Sequence, residues 1–292
     1  MSGKGKAERT LYSYDNQNEV QLAKDIAEKL YKYDALPANT LPSLQHLTEA
    51  HIRQFWDEGY LVVDNVLSAG EINTSLEALM DIIFDRSTGS RVQFVKPKAE
   101  LKTDHEKELA VRKVSEYIDH EPRLRDIAYH KDVMEAMGRL FGEEAKVAQD
   151  QAILKPPTGG AEKPWHQDMA YGNLAYDKSV IGIWIALDPA ELDNGCMHVI
   201  PYSHRQGAVP HYAVRDWQLC DASVQVERDV AVPLKPGGAL LFSGLLHHGT
   251  PPNFTDKRRR SLQIHYAPSS AKKLSPQEYK RFFTNEMTGA EC

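Results

Sequence analysis

Near residue 145 the hydrophobic period of this chain changes, and few architectures accommodate such a change. Upstream, apolar residues recur at helical spacing. DIAEKLYKYDALP forms one short helical pattern ending before Pro37. Thr48 and His51 open a second, carrying Ile52, Phe55 and Trp56 and stopping at Gly59. Ser68 caps a third, EINTSLEALMDIIFD. Between the last two, YLVVDNVL (60–67) reads as a buried strand. Residues 86–110 are polar and charged and read as a flexible loop, and 114–141 hold two more helical patterns. The second of these is DVMEAMGRLFG, with Asp132 as its N-cap. Downstream the runs are short and strand-like: VAQDQAILK (147–155), IGIWIAL (181–187), CMHVIP (196–201), VAVPL (230–234), GALLFSGLL (238–246) and SLQIHYA (261–267). Gly159-Gly160 and Gly237-Gly238 mark turns, and Asp193-Asn194-Gly195 reads as a hairpin turn. Helices first and an antiparallel β run afterwards predict an α+β domain built on a β-barrel or jelly roll. Residues 1–50 read as an N-terminal extension, partly helical, and 51–292 as a single domain.

Composition narrows the function. With 292 residues and 41% apolar content the chain can bury a full core without staples. A net charge of −6 is the wrong sign for a nucleic-acid binder. No apolar run approaches the roughly 18 residues of a membrane span, and MSGKGKAERT lacks the apolar stretch of a secretory signal. Cys196, Cys220 and Cys292 are too few and scattered for a disulfide framework or a cysteine zinc cluster. The expectation is a cytoplasmic enzyme or small-molecule binder, monomeric or homodimeric, without nucleic-acid or membrane partners.

The chemistry starts at Trp165-His166-Gln167-Asp168. In an extended segment His166 and Asp168 project from one face, an imidazole and a carboxylate toward a divalent metal. Such pairs also arise by chance, so context decides. Downstream a strand is predicted to end at His247-His248, and a turn with Pro251, Pro252 and Asn253 leads to a basic run and another strand. A third ligand from that segment would complete a 2-His-1-carboxylate facial triad, which leaves positions open on Fe(II). An arginine after the turn could pair bidentately with a cosubstrate carboxylate. Arg259 shares a strand face with Ser261, Gln263 and His265, whereas Arg258 and Arg260 share one with Leu262, Ile264 and Tyr266. A polar interior cleft would choose the first face.

FWDEGYLVVDNVLS, the HQD motif, DNGCMHVIPYSHR and HGTPPN…RRS together resemble the phytanoyl-CoA dioxygenase family of Fe(II)/2-oxoglutarate oxygenases, over roughly residues 52–268. The resemblance implies a double-stranded β-helix core (jelly-roll, cupin-like) flanked by helices. It implies Fe(II) as metal, with 2-oxoglutarate and O2 as cosubstrates and ascorbate as reductant in vitro. Carried over by position, the iron ligands fall on His166, Asp168 and His248, the last because it precedes Gly249-Thr250. The cosubstrate arginine falls on Arg259, the hydroxyl contact on Thr250, and further cosubstrate contacts on Trp184, Gln151 and Lys113. Tyr171, Asn173, Arg205 and His211 lie near segments that line the family's substrate pocket. Halogenating relatives lack the ligand carboxylate, so Asp168 favours hydroxylation of a small organic substrate with release of succinate and CO2.

Plainer readings stand beside these. His247 reads as a neighbour of the ligands or as packing outside the barrel, and Cys196 as a small core residue. Most of Lys257-Arg258-Arg259-Arg260 reads as a solvated strand entrance, with a phosphate-bearing substrate such as a CoA ester as the other possibility. A catalytically silent metal or 2-oxoglutarate binder of the same fold is the alternative to an oxygenase. A zinc hydrolase would need a general base that the His-x-Asp pair does not bring.

Overall fold

The structure, a computed structural model, describes residues 16–292, so the N-terminal MSGKGKAERT stretch lies outside the described residues. Asn16 caps α1 (Gln17–Leu30), and a short strand β1 (Leu41–Ser43) follows. α2 (Glu49–Glu58) begins with reciprocal capping between Thr48 and His51. It stops at Gly59, whose φ of 92° is left-handed and which abuts the His204 ring so closely that a Cβ would clash. β2 (Tyr60–Asn65) then leads to Ser68, which with Glu71 forms the capping box of α3 (Ala69–Ile83).

The charged stretch 86–110 is not a loop. It contains β3 (Arg91–Phe94) and α4 (Asp104–Ala110), the latter started by a Thr103–Glu106 capping box. Lys98 and Lys107 both pair with Asp85 across it. Its strand, at a sheet edge, is only four residues long, so the alternation of Val92 and Phe94 with Arg91 and Gln93 is too short to stand out from the surrounding charge. β4 (Val111–Ser115) follows directly and carries Lys113. α5 (Pro122–Ala128) and α6 (Lys131–Phe141) come next, and the N-cap of α6 is His130, not Asp132.

The β half comprises β5 (Ala145–Lys155), β6 (Lys163–His166), β7 (Ile181–Ala186), β8 (Met197–Val199), β9 (Tyr212–Ala213), β10 (Trp217–Gln218), β11 (Val230–Val232), β12 (Ala239–Ser243), β13 (His248–Thr250) and β14 (Arg259–Pro268), with α7 (Pro276–Phe283) last. Eight strands form one sheet in the order β1-β2-β12-β7-β14-β5-β4-β3, and four form a second, β11-β8-β13-β6. The strand expected to end at His247-His248 ends at Ser243, and His248 opens a new strand in the other sheet. Asp193-Asn194-Gly195 likewise turns between sheets rather than closing a hairpin, since β7 and β8 do not pair. Asn194 holds that turn by accepting from the Glu191 amide and donating to the Pro189 carbonyl.

Alternation along the strands of the large sheet separates two environments. Ile181, Ile183, Ile185, Leu262, Ile264 and Tyr266 pack against the layer of helices, with Phe55, Leu79, Ile82 and Met137. From the opposite face Val62, Trp184, Leu240 and Phe242 pack onto Met197, Val199 and Ala231 of the small sheet. The architecture is α+β, a jelly roll with helices on one side. Its interior opens between the two sheets.

Residues ahead of Glu49 pack onto this body. β1 pairs parallel to β2. Tyr31 stacks on Trp165 at 5.3 Å between ring centroids, and the Trp165 indole donates to the Leu30 carbonyl at 2.9 Å. Cys220 and Cys292, separated by 72 residues, are joined by a disulfide, leaving Cys196 as a buried thiol. Their separation in sequence gave no sign of this, because only the return of the C-terminal tail brings them together. Among the described residues no helix is long and apolar enough to cross a membrane.

Candidate metal centre

β6 and β13 are antiparallel neighbours in the small sheet, and His166 and His248 are register partners across them. Two histidines opposite each other place their rings side by side, here 4.1 Å apart between centroids. Asp168 sits just beyond β6 in a short 3-10 turn, Asp168–Ala170, rather than in the extended segment expected for it. The turn still brings its Oδ1 to 3.2 Å from His166 Nε2 and 3.5 Å from His248 Nε2. All three side chains are buried, and a ligand atom from each lies within 4.8 Å of the others.

Tautomers are set by the backbone. His166 Nδ1 donates to the Pro164 carbonyl at 2.8 Å and His248 Nδ1 to the Leu246 carbonyl at 2.9 Å. Both acceptors lack protons, so both Nε2 atoms carry lone pairs toward the shared space. Burial, with His248 beside it, lowers the His166 pKa to about 4, which keeps that imidazole neutral as a metal ligand must be. Burial pushes Asp168 upward, but His248 and His265 beside it outweigh that and hold the carboxyl well below its usual range.

The other Asp168 oxygen is fixed by residues to which the sequence reading gave no role. Gln263 Nε2 donates to Oδ2 at 2.9 Å and His265 Nε2 at 2.7 Å. The only signal for them is their shared strand parity with Arg259. Gln167, between His166 and Asp168 in sequence, also braces the cluster: its amide donates to the Gly207 and Leu245 carbonyls, and its oxygen accepts from the Val209 amide. Partners of this kind set ligand orientation, and their loss typically costs about 10–100-fold in metal affinity. Gln263→Leu is therefore expected to weaken Fe(II) binding by roughly tenfold or more in an equilibrium titration while the fold is retained.

Along β14 the same interior face carries Arg259, which is fully buried. Its Nη1 donates to Ser261 Oγ at 3.2 Å, while Nε and Nη2 have no partner among the described residues. The guanidinium lies 5.2 Å from the centre of the Trp184 ring. Burial lowers its pKa to about 10, still high enough to remain charged near neutrality. Thr250 Oγ1 is buried and likewise without a partner. Buried donors are rarely left unmatched, so this corner has the chemistry of a site for an anion. The flanking arginines are engaged elsewhere, Arg258 with Glu108 and Arg260 with Asp188.

Gln151 stands opposite Gln263 across β5 and β14, and Lys113 opposite Ile153 across β4 and β5, both on the inner face. Tyr171 meets the His166 ring edge-on at 5.8 Å. His211 reaches the site indirectly, accepting from the Gln167 backbone amide at 2.9 Å. Asn173 and Arg205 are not brought in: both are exposed, and Arg205 pairs with Asp57. His247 is buried behind His248, with both ring nitrogens unpartnered among the described residues.

His211 supplies a pH signature. Its Nδ1 donates to the Val209 carbonyl at 2.9 Å. Burial, with His166 and His247 nearby, lowers its pKa to about 3 against that bond. The unfolded chain would protonate it near 6.5, so as pH falls below that value the unfolded state gains protons first. Its contribution to stability is full above about pH 6.5 and is lost as pH falls toward 3. The unfolding midpoint of the metal-free protein should drop across this window, and His211→Gln should reduce the slope.

The phytanoyl-CoA dioxygenase (PhyH) family model matches residues 55–261. The phytanoyl-CoA dioxygenase domain-containing protein 1 of Danio rerio is 25% identical, covering 80% of this chain and 94% of that protein. A probable alpha-ketoglutarate-dependent hypophosphite dioxygenase of Stutzerimonas stutzeri is 28% identical over 75% of this chain and 78% of its own length. Among solved structures, the non-haem alpha-ketoglutarate-dependent carbocyclase SnoK of nogalamycin biosynthesis superposes with a TM-score of 0.63 at 20% identity, covering 80% of this chain and 89% of that one. EvdO2 of Micromonospora carbonacea var. aurantiaca, crystallised with 2-oxoglutarate, gives 0.61 at 23% identity, covering 80% and 96%.

Proposed function

This chain belongs to the phytanoyl-CoA dioxygenase family, and on that premise we propose that it is an Fe(II)/2-oxoglutarate-dependent dioxygenase that hydroxylates a small organic substrate, releasing succinate and CO2. One observation supports the reading: a buried arginine with two donor atoms unpartnered among the described residues stands on the inner sheet face beside a buried His-Asp-His cluster. The donor set, two neutral imidazoles and a carboxylate, suits non-haem Fe(II).

In this reading His166, Asp168 and His248 hold the metal. Arg259 offers Nε and Nη2 to the far carboxylate of 2-oxoglutarate, and Thr250 offers its hydroxyl. Trp184 confines that end with an apolar ring against the guanidinium. Gln151 and Lys113 line the same inner face, and the Lys113 ammonium adds positive charge toward a dianionic cosubstrate. When iron and cosubstrate are bound, such a centre supplies O2 activation coupled to decarboxylation of 2-oxoglutarate. Gln263 and His265 keep Asp168 oriented as a ligand, which occupies the position a halide would need.

The test is succinate formation from 2-oxoglutarate with Fe(II) and ascorbate across a panel of metabolites, with 18O2 label sought in the product. Labelled alcohol with stoichiometric succinate is expected. Tight iron and 2-oxoglutarate binding without succinate from any member of the panel would instead identify a silent binder of the same fold.

A further inference from the structure

Lys155 stands directly opposite Arg259 across the antiparallel pair β5 and β14. The strand parity that puts Arg259 on the inner face therefore puts Lys155 there too, in line with Gln151 and Ile153. Lys155 is buried, and its Nζ donates to three carbonyls: Ala161 at 2.6 Å, Thr250 at 3.3 Å and Pro251 at 2.5 Å. Three carbonyls around one nitrogen call for the three N–H groups of an ammonium. Neither this ammonium nor the Arg259 guanidinium bonds a carboxylate among the described residues.

The fold makes room for this lysine. A Cβ on Gly160 would stand 2.8 Å from the Lys155 Cβ. One on Gly195, where φ is 87°, would stand 3.1 Å from the Lys155 Cδ and 2.7 Å from the Pro251 carbonyl oxygen. The side chain thus ties the end of β13, which carries the unpartnered Thr250 hydroxyl, to the strand that faces Arg259. Two buried cations side by side are costly until an anion joins them. Burial, and after it the Arg259 charge, hold the Lys155 pKa well below its usual value, against the pull of Glu162. A carboxylate bound at Arg259 relieves that repulsion.

We propose that Lys155 is a positioning residue for 2-oxoglutarate: it fixes the backbone that presents the Thr250 hydroxyl and sets a second positive charge beside Arg259, so that this corner selects a 2-oxo acid whose far end is a carboxylate. Lys155 directs its own N–H groups to the three carbonyls and acts through Thr250 and Arg259 rather than by contact with the cosubstrate. The inference rests on the 2-oxoglutarate reading above and adds to it the residue that sets the preference for a dianion.

The test uses the full chain with Fe(II) under argon, following the visible absorption of the iron complex with a 2-oxo acid. Affinity for 2-oxoglutarate is compared with that for 2-oxopentanoate, which has a methyl group in place of the far carboxylate. The wild-type protein should bind 2-oxoglutarate at least about tenfold more tightly. Lys155→Gln keeps N–H donors for the carbonyls without the charge, and Lys155→Met keeps neither. Both should lower the preference for 2-oxoglutarate by about tenfold, Lys155→Met by more, while affinities for 2-oxopentanoate and Fe(II) stay within about twofold of wild type. A purely structural lysine would weaken both acids together or neither, leaving their ratio unchanged. That result, or failure of both variants to fold, would overturn the role of Lys155 and leave the cofactor reading standing. Equal affinity for the two acids in the wild-type protein would overturn the far-carboxylate corner, Arg259 included. No visible band with 2-oxoglutarate would overturn the cofactor reading and this role with it.

Discussion

Alanine at His166, Asp168 or His248 is expected to reduce succinate formation to background and to weaken Fe(II) binding by more than the roughly 10–100-fold that loss of an orienting partner costs. Each removes one of the clustered donor atoms, and no other His, Cys, Asp or Glu among the described residues completes such a cluster at the site. Asp168→Ala should be the most disruptive to its surroundings, because it leaves the amide of Gln263 and the ring of His265 buried without their acceptor. His247→Ala is the internal control. Its ring nitrogens bond nothing among the described residues, and its backbone amide keeps the Ser203 hydroxyl whatever the side chain. Iron binding measured for all four variants checks the assignment. Loss of binding in His247→Ala with retention in His248→Ala would reverse it.

Arg259→Ala should raise the KM for 2-oxoglutarate far more than it disturbs iron affinity. Removing one partner of a desolvated, bidentate guanidinium–carboxylate pair typically costs about 2–4 kcal/mol, or roughly tenfold to several hundredfold. Lysine should restore only part of this, since an ammonium lacks the planar fork. Arg258→Ala and Arg260→Ala should leave that KM nearly unchanged, because their guanidinium groups face Glu108 and Asp188 outside the pocket. Arg260→Ala should instead lower the unfolding midpoint, as Asp188 loses its main partner in a half-buried setting. A titration of 2-oxoglutarate across the three variants decides the matter. Equal losses would mean a diffuse basic patch, and the single-anchor assignment would be abandoned.

Much of this protein was legible as local pattern. The β14 parity that sets Arg259, Ser261, Gln263 and His265 against Leu262, Ile264 and Tyr266 is a period of two, and it predicted which face is polar before any partner was known. The Thr48 and Ser68 caps, the stop at Gly59 and the alternation in IGIWIAL are likewise interactions within a few residues. The motif pair HQD and HGT carried the residue types of the His-Asp-His cluster. Short range is what makes such features readable: the energies involved lie between neighbours along the chain.

Only the tertiary structure decided the rest. That His166 faces His248 depends on the register of two strands 82 residues apart in sequence. That Asp168 is held by Gln263 and His265 depends on a crossing between two sheets. The bulge at Arg112 and the Cys220–Cys292 bond have no local signature either. Each follows from long-range pairing, in which the stabilising partner of a residue is chosen by the packing of the whole jelly roll rather than by its neighbours in sequence.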